Sequence, residues 1–377
     1  MNKEKRYYDI DWLRVIGMFI IFLFHNARFF NDEAWHVKNF ELSFGMSVFV
    51  GVLNHFIMPL FFLLSAFASY YALKRRTNSE FISERISRLL IPLFVGIFTH
   101  IILQVYIENI TQSRFSGSFW QFIPHYFDGW YAFGGNFAWM GLHLWYLLIL
   151  FLFSWLALPV FRYLDRSKKM TTHLADIATK FLGPYLFIIP LFLMELLVSF
   201  LPATIGRRDF GGWSLLTYLI FFICGYLLAS DKRYRAAIEK IRFISLALSL
   251  LTVYMGYLSI VEWDLPGHNP LYLMVRAINS WSWLLSFVGF SSHHLNFNNR
   301  FLKYANEAVL PFYVFHQTVI VVIGYFIKDW TWAVFPKYLL LAAASFILIM
   351  VLYEFVVKRV NVLRYLFGMK KQKTEGK

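Results

Sequence analysis

The 377-residue sequence holds one cysteine, Cys224, and only 15% of its residues are charged. A lone cysteine excludes both a disulfide framework and a cysteine metal site. Because Cys224 lies in the apolar run "YLIFFICGYLLA", its thiol is expected to pack. There are 11 histidines, but no HxxxH or paired-carboxylate spacing, so no metal is expected. Nor is there an internal repeat or a stretch polar enough for a soluble domain, so residues 1–377 read as a single membrane domain. Scarce charge, 59% hydrophobic and 21% aromatic residues and a mean hydropathy of +0.53 exclude an ordinary soluble protein. The class is all-α and polytopic, in contact with the lipid bilayer. The first apolar run continues through residue 30 without a small-residue cleavage site, so no cleaved signal peptide is expected.

Apolar runs of roughly 20 residues, enough to cross a ~30 Å hydrocarbon core as helix, number ten. They lie near 11–31, 46–73, 88–108, 140–162, 181–201, 213–230, 242–261, 271–290, 307–327 and 336–357. Net charge is +14, and its distribution explains it. The loops on the N-terminal side carry 27 lysines and arginines against 7 on the other side, with Arg14 and Arg276 inside spans. That bias predicts cytoplasmic termini and accounts for the basic total without a nucleic-acid partner. Pro59 predicts a kink in the second span. The outer stretch 109–139, rich in Phe, Trp, Tyr and Gly, has two readings: interfacial aromatic anchoring, or a lid with a sugar-stacking surface.

"RVIGMFIIFLFH" closes ten uncharged residues between Arg14 and His25. Eleven steps of ~100° come within about 20° of three full turns, so both share one face of a helix, ~16 Å apart. Intramembrane ionisable residues are costly and mark functional sites by default, although an arginine near the cytoplasmic surface can also snorkel to headgroups. Asn26 and Arg28 follow His25 directly and suggest a polar cavity opening outward. "LKRRTNSEFISERISRL" clusters Lys74, Arg75, Arg76, Arg85 and Arg88. The Thr77–Glu80 spacing is that of a capping box, so a helix is expected to begin there, with Arg85 and Arg88 one turn apart on a common face. Glu195 and Arg276 are candidates to pair, since a buried charge needs a partner.

The stretch "DIDWLRVIGMFIIFLFHNARFF" resembles the opening span of the acyltransferase-3 family of integral-membrane O-acyltransferases, whose hallmark is arginine, ten residues and histidine. "MPLFFLLSAF" (58–67) is similar to that family's FFxxSGF segment, "ERISRLLIP" (84–92) to its RxxRLxxP segment, and "LPFYVFHQTVIV" (310–321) to its late histidine-bearing span. The likeness in order, spacing and layout covers nearly the whole chain. Ala66 departs from the pattern, standing where glycine is usual, and puts the helix packing there in question. "FHNARFF" followed by "WHVKN" resembles most the members that are periplasmic-glucan succinyltransferases.

The resemblance implies transfer of an acyl group, acetyl or succinyl, from cytoplasmic acyl-coenzyme A to a hydroxyl of an extracytoplasmic glycan or other cell-surface acceptor. Acyl-coenzyme A is then a donor substrate and not a resident cofactor, and a bacterial inner membrane suits the reaction. The residues fit independently. Imidazole is the side chain best matched to taking a hydroxyl proton at neutral pH, which makes His25 the candidate base. The donor's phosphates call for cytoplasmic cations, for which Arg14, Arg85 and Arg88 are candidates. Asn26, Ser65, His143, Arg276 and His316 are candidates to line the cavity. No serine or cysteine nucleophile accompanies His25, which points to direct transfer, with Ser65 the nearest candidate for a relay. Arg276 is the spare cation at depth for a succinyl carboxylate. The alternative class is a transporter or flippase using the same charged path, against which stands the lack of inverted repeats. No oligomeric state is read from the sequence.

Overall fold

The computed structural model describes residues 7–180, 182–261 and 266–370. Lys3, Lys5, Arg6, Lys371, Lys373 and Lys377, counted in the charge bias, and residue 181, the first of the fifth apolar run, lie outside the described residues. The described chain is helical, without strands. In order, the helices are α1 (Tyr8–Arg28), α2 (Phe44–Asn54), α3 (Ile57–Leu73), α4 (Asn78–Arg85), α5 (Ile91–Phe98), α6 (His100–Thr111) and α7 (Phe119–Tyr126). There follow α8 (Trp145–Leu156), α9 (Leu158–Arg166), α10 (Lys168–Ala178), α11 (Ile188–Ser199), α12 (Leu215–Ser230) and α13 (Lys232–Lys240). The chain closes with α14 (Arg242–Val261), α15 (Pro270–His294), α16 (Arg300–Ile327), α17 (Val334–Val351) and α18 (Asn361–Leu366). Two π-helical turns, Ile86–Leu90 and Leu352–Val357, interrupt the α-helical register.

Helix is what a bilayer demands of an apolar chain, because each backbone polar group must be satisfied within its own segment. Four helical stretches are long and apolar enough to cross a membrane: Tyr8–Arg28, Phe44–Leu73, Arg300–Ile327 and Val334–Val357. Four bent pairs reach that length together, giving four to eight spans among the described residues. The expected spans near 242–261 and 271–290 are helical as α14 and α15 but are not among those eight. The first is an apolar helix over Arg242–Leu258, and the second is interrupted by Arg276, Asn279 and several serines.

Side-chain oxygens close several helix starts. Thr77 and Glu80 form the expected reciprocal cap ahead of α4, with Thr77 N donating to Glu80 Oε2 at 2.8 Å and Glu80 N donating to Thr77 Oγ1 at 3.3 Å. Ser118 and Gln121 do the same for α7. The helical assignment of the second span is interrupted at His55–Phe56, between α2 and α3. His55 is four residues before Pro59, where the missing N–H and the ring act.

Contacts divide the chain into two compact units. The described residues of one lie within 7–17, 52–81 and 153–303. There α3 packs on α12 with the Phe62 and Tyr218 rings 4.8 Å apart. A Cβ on Gly225 would stand 2.4 Å from the Leu63 carbonyl and 3.0 Å from the Ala66 Cβ. The close approach that glycine at 66 would permit is thus supplied from the facing helix, in keeping with small residues at membrane helix interfaces. Cys224, the neighbour of Gly225, is buried in this packing. On α15, Asn279 Nδ2 donates to Ser249 O at 2.8 Å and to Thr252 Oγ1 at 2.9 Å, tying that helix to α14.

The described residues of the second unit lie within 18–51, 82–152 and 304–370. Its core gathers Phe22 against Phe312, with ring centroids 5.3 Å apart, and Phe29 over Gly324, where a Cβ would meet the ring at 3.1 Å. Tyr126 of α7 is buried and donates to Ile97 O at 3.0 Å, holding the aromatic stretch 109–139 to the end of α5. Trp120, Trp130 and Phe133 of that stretch remain exposed.

Candidate functional site

Helix α1 is continuous from Tyr8 to Arg28, so Arg14 and His25 stand on one uninterrupted helix as the spacing predicts. Arg14 falls in the first unit, half-buried, with Nη1 3.2 Å from Asp11 Oδ1. His25 falls in the second, where α16 brings His316 to it and the turn before α8 brings His143. The His25 and His143 ring centroids each lie 4.9 Å from that of His316. His143 is aimed by consecutive left-handed residues, Gly141 at φ +71° and Leu142 at φ +51°. A leucine in that region costs about 1–3 kcal/mol and persists only where surrounding structure fixes it.

The hydrogen bonds assign the protons. His316 Nδ1–H donates to Tyr313 O at 2.6 Å, so its Nε2 presents a lone pair. His25 Nδ1–H is shared between Ile21 O at 2.9 Å and His316 Nε2 at 3.2 Å. His25 Nε2 is therefore the basic nitrogen, on a ring fixed in tautomer and direction by its other nitrogen. His143 and His100 each donate through Nε2–H to the Val314 carbonyl, at 3.1 and 2.9 Å. Asn26 is buried, its Nδ2 donating to Phe22 O at 2.8 Å.

A second polar cluster in this unit has no counterpart among the residues singled out from sequence. His36 and Glu108 are in direct contact through Nδ1 and Oε2. Gln104 and Gln317 both donate from Nε2 to His36 Nε2 at 2.9 Å. Glu108 Oε1 accepts from Arg114 at 2.7 Å, and Oε2 from the Tyr131 hydroxyl at 2.9 Å. Burial, and then the Glu108 carboxylate, push the Tyr131 phenol above its ordinary range, so it remains a donor. His36, Gln104, Glu108 and Gln317 are each at most 8% exposed. These residues are scattered over three segments, so only "WHVKN" offered a local signal. In the same loop after α1, Lys38 donates to Arg28 O at 2.6 Å and Asn31 Oδ1 at 2.9 Å. Burial, and then the Arg28 charge, lower its ammonium to about 8.

Arg85 and Arg88 also belong to the second unit. They were expected on one face of an α-helical turn. The π-helical turn Ile86–Leu90 widens the winding between them and alters that register. Arg88 Nη1 lies 3.7 Å from Glu84 and its Nε donates to Gly368 O at 3.4 Å. Glu84, Ser87, Arg88, Tyr365, Gly368, Met369 and Lys370 line a cavity of about 350 Å³. Gly368, at φ +70°, allows the chain end to approach Arg88, whose carbonyl a Cβ would meet at 3.0 Å.

Ser65 and Arg276 fall in the first unit. Ser65 is half-buried on α3 and its carbonyl accepts from Ser69 Oγ at 2.8 Å. Arg276 is not a spare cation. It is 3.9 Å from Glu195, bonded to Gly212 O and 4.0 Å over the Trp213 ring. Glu195 takes its shorter ion pair from Arg208, at 2.6 Å, and accepts from Thr217 Oγ1.

A polytopic helical protein with a buried, oriented imidazole group is compatible with acyl transfer within a membrane. Comparison with known proteins gives the family. The family model described as "Acyltransferase domain" matches residues 7–354, and the chain belongs to the acyltransferase-3 family. It is a multi-pass membrane acyltransferase. The chain is similar to "Glucans biosynthesis protein C" of Shigella dysenteriae serotype 1, 24% identical over 338 residues, covering 86% of this chain and 84% of the relative. The protein of that name from Escherichia coli K12 shows the same identity and coverage. That of Salmonella schwarzengrund is 23% identical over 340 residues, covering 85% and 84%. No solved structure matches.

Proposed function

We propose that the protein moves an acetyl or succinyl group from cytoplasmic acyl-coenzyme A to a hydroxyl of an extracytoplasmic glycan. Both termini would lie in the cytoplasm and ten helices would cross a bacterial inner membrane. The observation that carries the reading is His25: its Nδ1–H is committed to Ile21 O and His316, leaving Nε2 as a directed base. In the reaction His25 Nε2 takes the hydroxyl proton as the oxygen's electron pair attacks the thioester carbonyl. The carbon–sulfur bond then breaks, and the departing thiolate takes the proton from His25. One imidazole serves both transfers, so no acylated enzyme is required.

Arg88 and Lys370, on the wall of one cavity, supply cations suited to the donor's phosphates, with Arg85 and Arg14 further donor-binding candidates. The name borne by the relatives, glucans biosynthesis protein C, supports a glucan as acceptor. The test is transfer of radiolabelled acetyl or succinyl from coenzyme A to glycan in membranes containing wild type or His25→Ala. Removing a general base costs ~10²–10⁴-fold, so label should reach glycan with wild type and fall by at least two orders of magnitude in the variant. Full transfer by His25→Ala would refute the assignment.

A further inference from the structure

We infer that His36 and Glu108 are positioning residues for His25, an inference that rests on the transfer reading above. A continuous set of contacts within the second unit carries it. Glu108 Oε2 holds His36 Nδ1. Both amides that reach His36 do so at Nε2, which makes Nε2 the acceptor and commits the single ring proton to Nδ1 and the carboxylate. Gln317, one of those amides, is the neighbour of His316 on α16, and His316 Nε2 is the group that shares the His25 Nδ1–H. A carboxylate–imidazole pair thus fixes Gln317, and with it the turn of α16 that sets the direction of the His25 ring.

The composition of the cluster argues against a mere loop anchor. Buried polar networks are costly unless every member is satisfied. Here Gln104 Oε1 is filled by Thr318 Oγ1 at 3.1 Å, and Glu108 accepts from Arg114 and Tyr131 in addition to His36. Three separate segments, α6, α16 and the loop after α1, converge on one imidazole. The charged or titratable groups facing His25 are His316, His143 and Arg28, the last paired with Glu33. The groups facing His36 are Glu108 and, through it, Arg114 and Tyr131.

The test reads His25 directly. Full-length wild type, Glu108→Gln and Gln317→Leu are purified in detergent, treated with diethyl pyrocarbonate at fixed pH, and the modification rate of each histidine is followed by peptide mass spectrometry. The His25 rate should change at least about threefold in both variants, while His125, half-exposed on α7, keeps its wild-type rate. In the transfer assay kcat should fall about tenfold, the scale seen when a carboxylate orienting a histidine is lost, with the donor KM unchanged. An unchanged His25 rate in both variants overturns the inference, and so does a change shared equally by His125. Should Glu108→Gln fail to fold, Gln317→Leu decides alone. If His25 responds while wild type transfers no acyl group, the positioning link stands and the transfer reading fails.

Discussion

Replacement of His316 by leucine separates the partner of the base from the base itself. His316 is fully buried, and leucine fills similar space without a lone pair. What is lost is the acceptor 3.2 Å from His25 Nδ1; Ile21 O, at 2.9 Å, remains. In the ground state that is half of a shared bond. When His25 takes the hydroxyl proton it becomes charged, and a hydrogen bond to a charged group contributes about 1.5–3 kcal/mol. At ~1.4 kcal/mol per tenfold, this predicts a loss of about 10- to 150-fold in kcat. The 3.2 Å length exceeds the ~2.7–2.9 Å usual for charge-assisted bonds, which places the expectation near the lower end. The assay is initial-rate acyl transfer by purified protein, with the melting temperature recorded to confirm folding. A folded His316→Leu enzyme at wild-type kcat would refute the argument. So would one as inactive as His25→Ala, since the remaining bond to Ile21 O should keep much of the base's function.

Three further outcomes follow from the packing and charge. Gly225→Val places a side chain where a Cβ alone would stand 2.4 Å from the Leu63 carbonyl. It should destabilise the α3–α12 pair by about 1–3 kcal/mol or more, read as lower yield and melting temperature in detergent. Glu195→Gln removes the carboxylate that Arg208 and Arg276 share; breaking a buried pair costs about 3–5 kcal/mol, so this variant should melt well below wild type. Lys38 sets a pH dependence. Its folded value near 8 lies below the ordinary ~10.4 of an unfolded lysine, so the charged form is disfavoured in the folded state. That penalty is fully present below pH 8 and disappears as pH rises toward 10.4. Lys38→Met should flatten the rise of melting temperature over that window, and an identical profile in both proteins would exclude Lys38 as its source.

The α1 helix was legible because Arg14, ten apolar residues and His25 form a local pattern, and the α4 start because Thr77 and Glu80 satisfy backbone groups three residues away. The break at His55–Phe56 followed from Pro59 by the same local logic. The departure at Ala66 could be noticed in sequence, but its compensation by Gly225 could not, since the two are brought together only by the packing of α3 on α12.

The sequence by itself determined an all-helical membrane chain, the face shared by Arg14 and His25, and the likeness to a family of acyltransferases. Those are properties of composition and of residues within a few helical turns. The tertiary structure decided which histidines meet. His316 and His25 are 291 positions apart, and His36 lies 72 positions from Glu108 and 281 from Gln317. It also decided that Arg276 is engaged by Glu195, Gly212 and Trp213, which no spacing along the chain could report. A buried polar side chain is stabilised by whichever group the fold sets against it, and that partner is fixed by packing between segments, not by their separation in sequence.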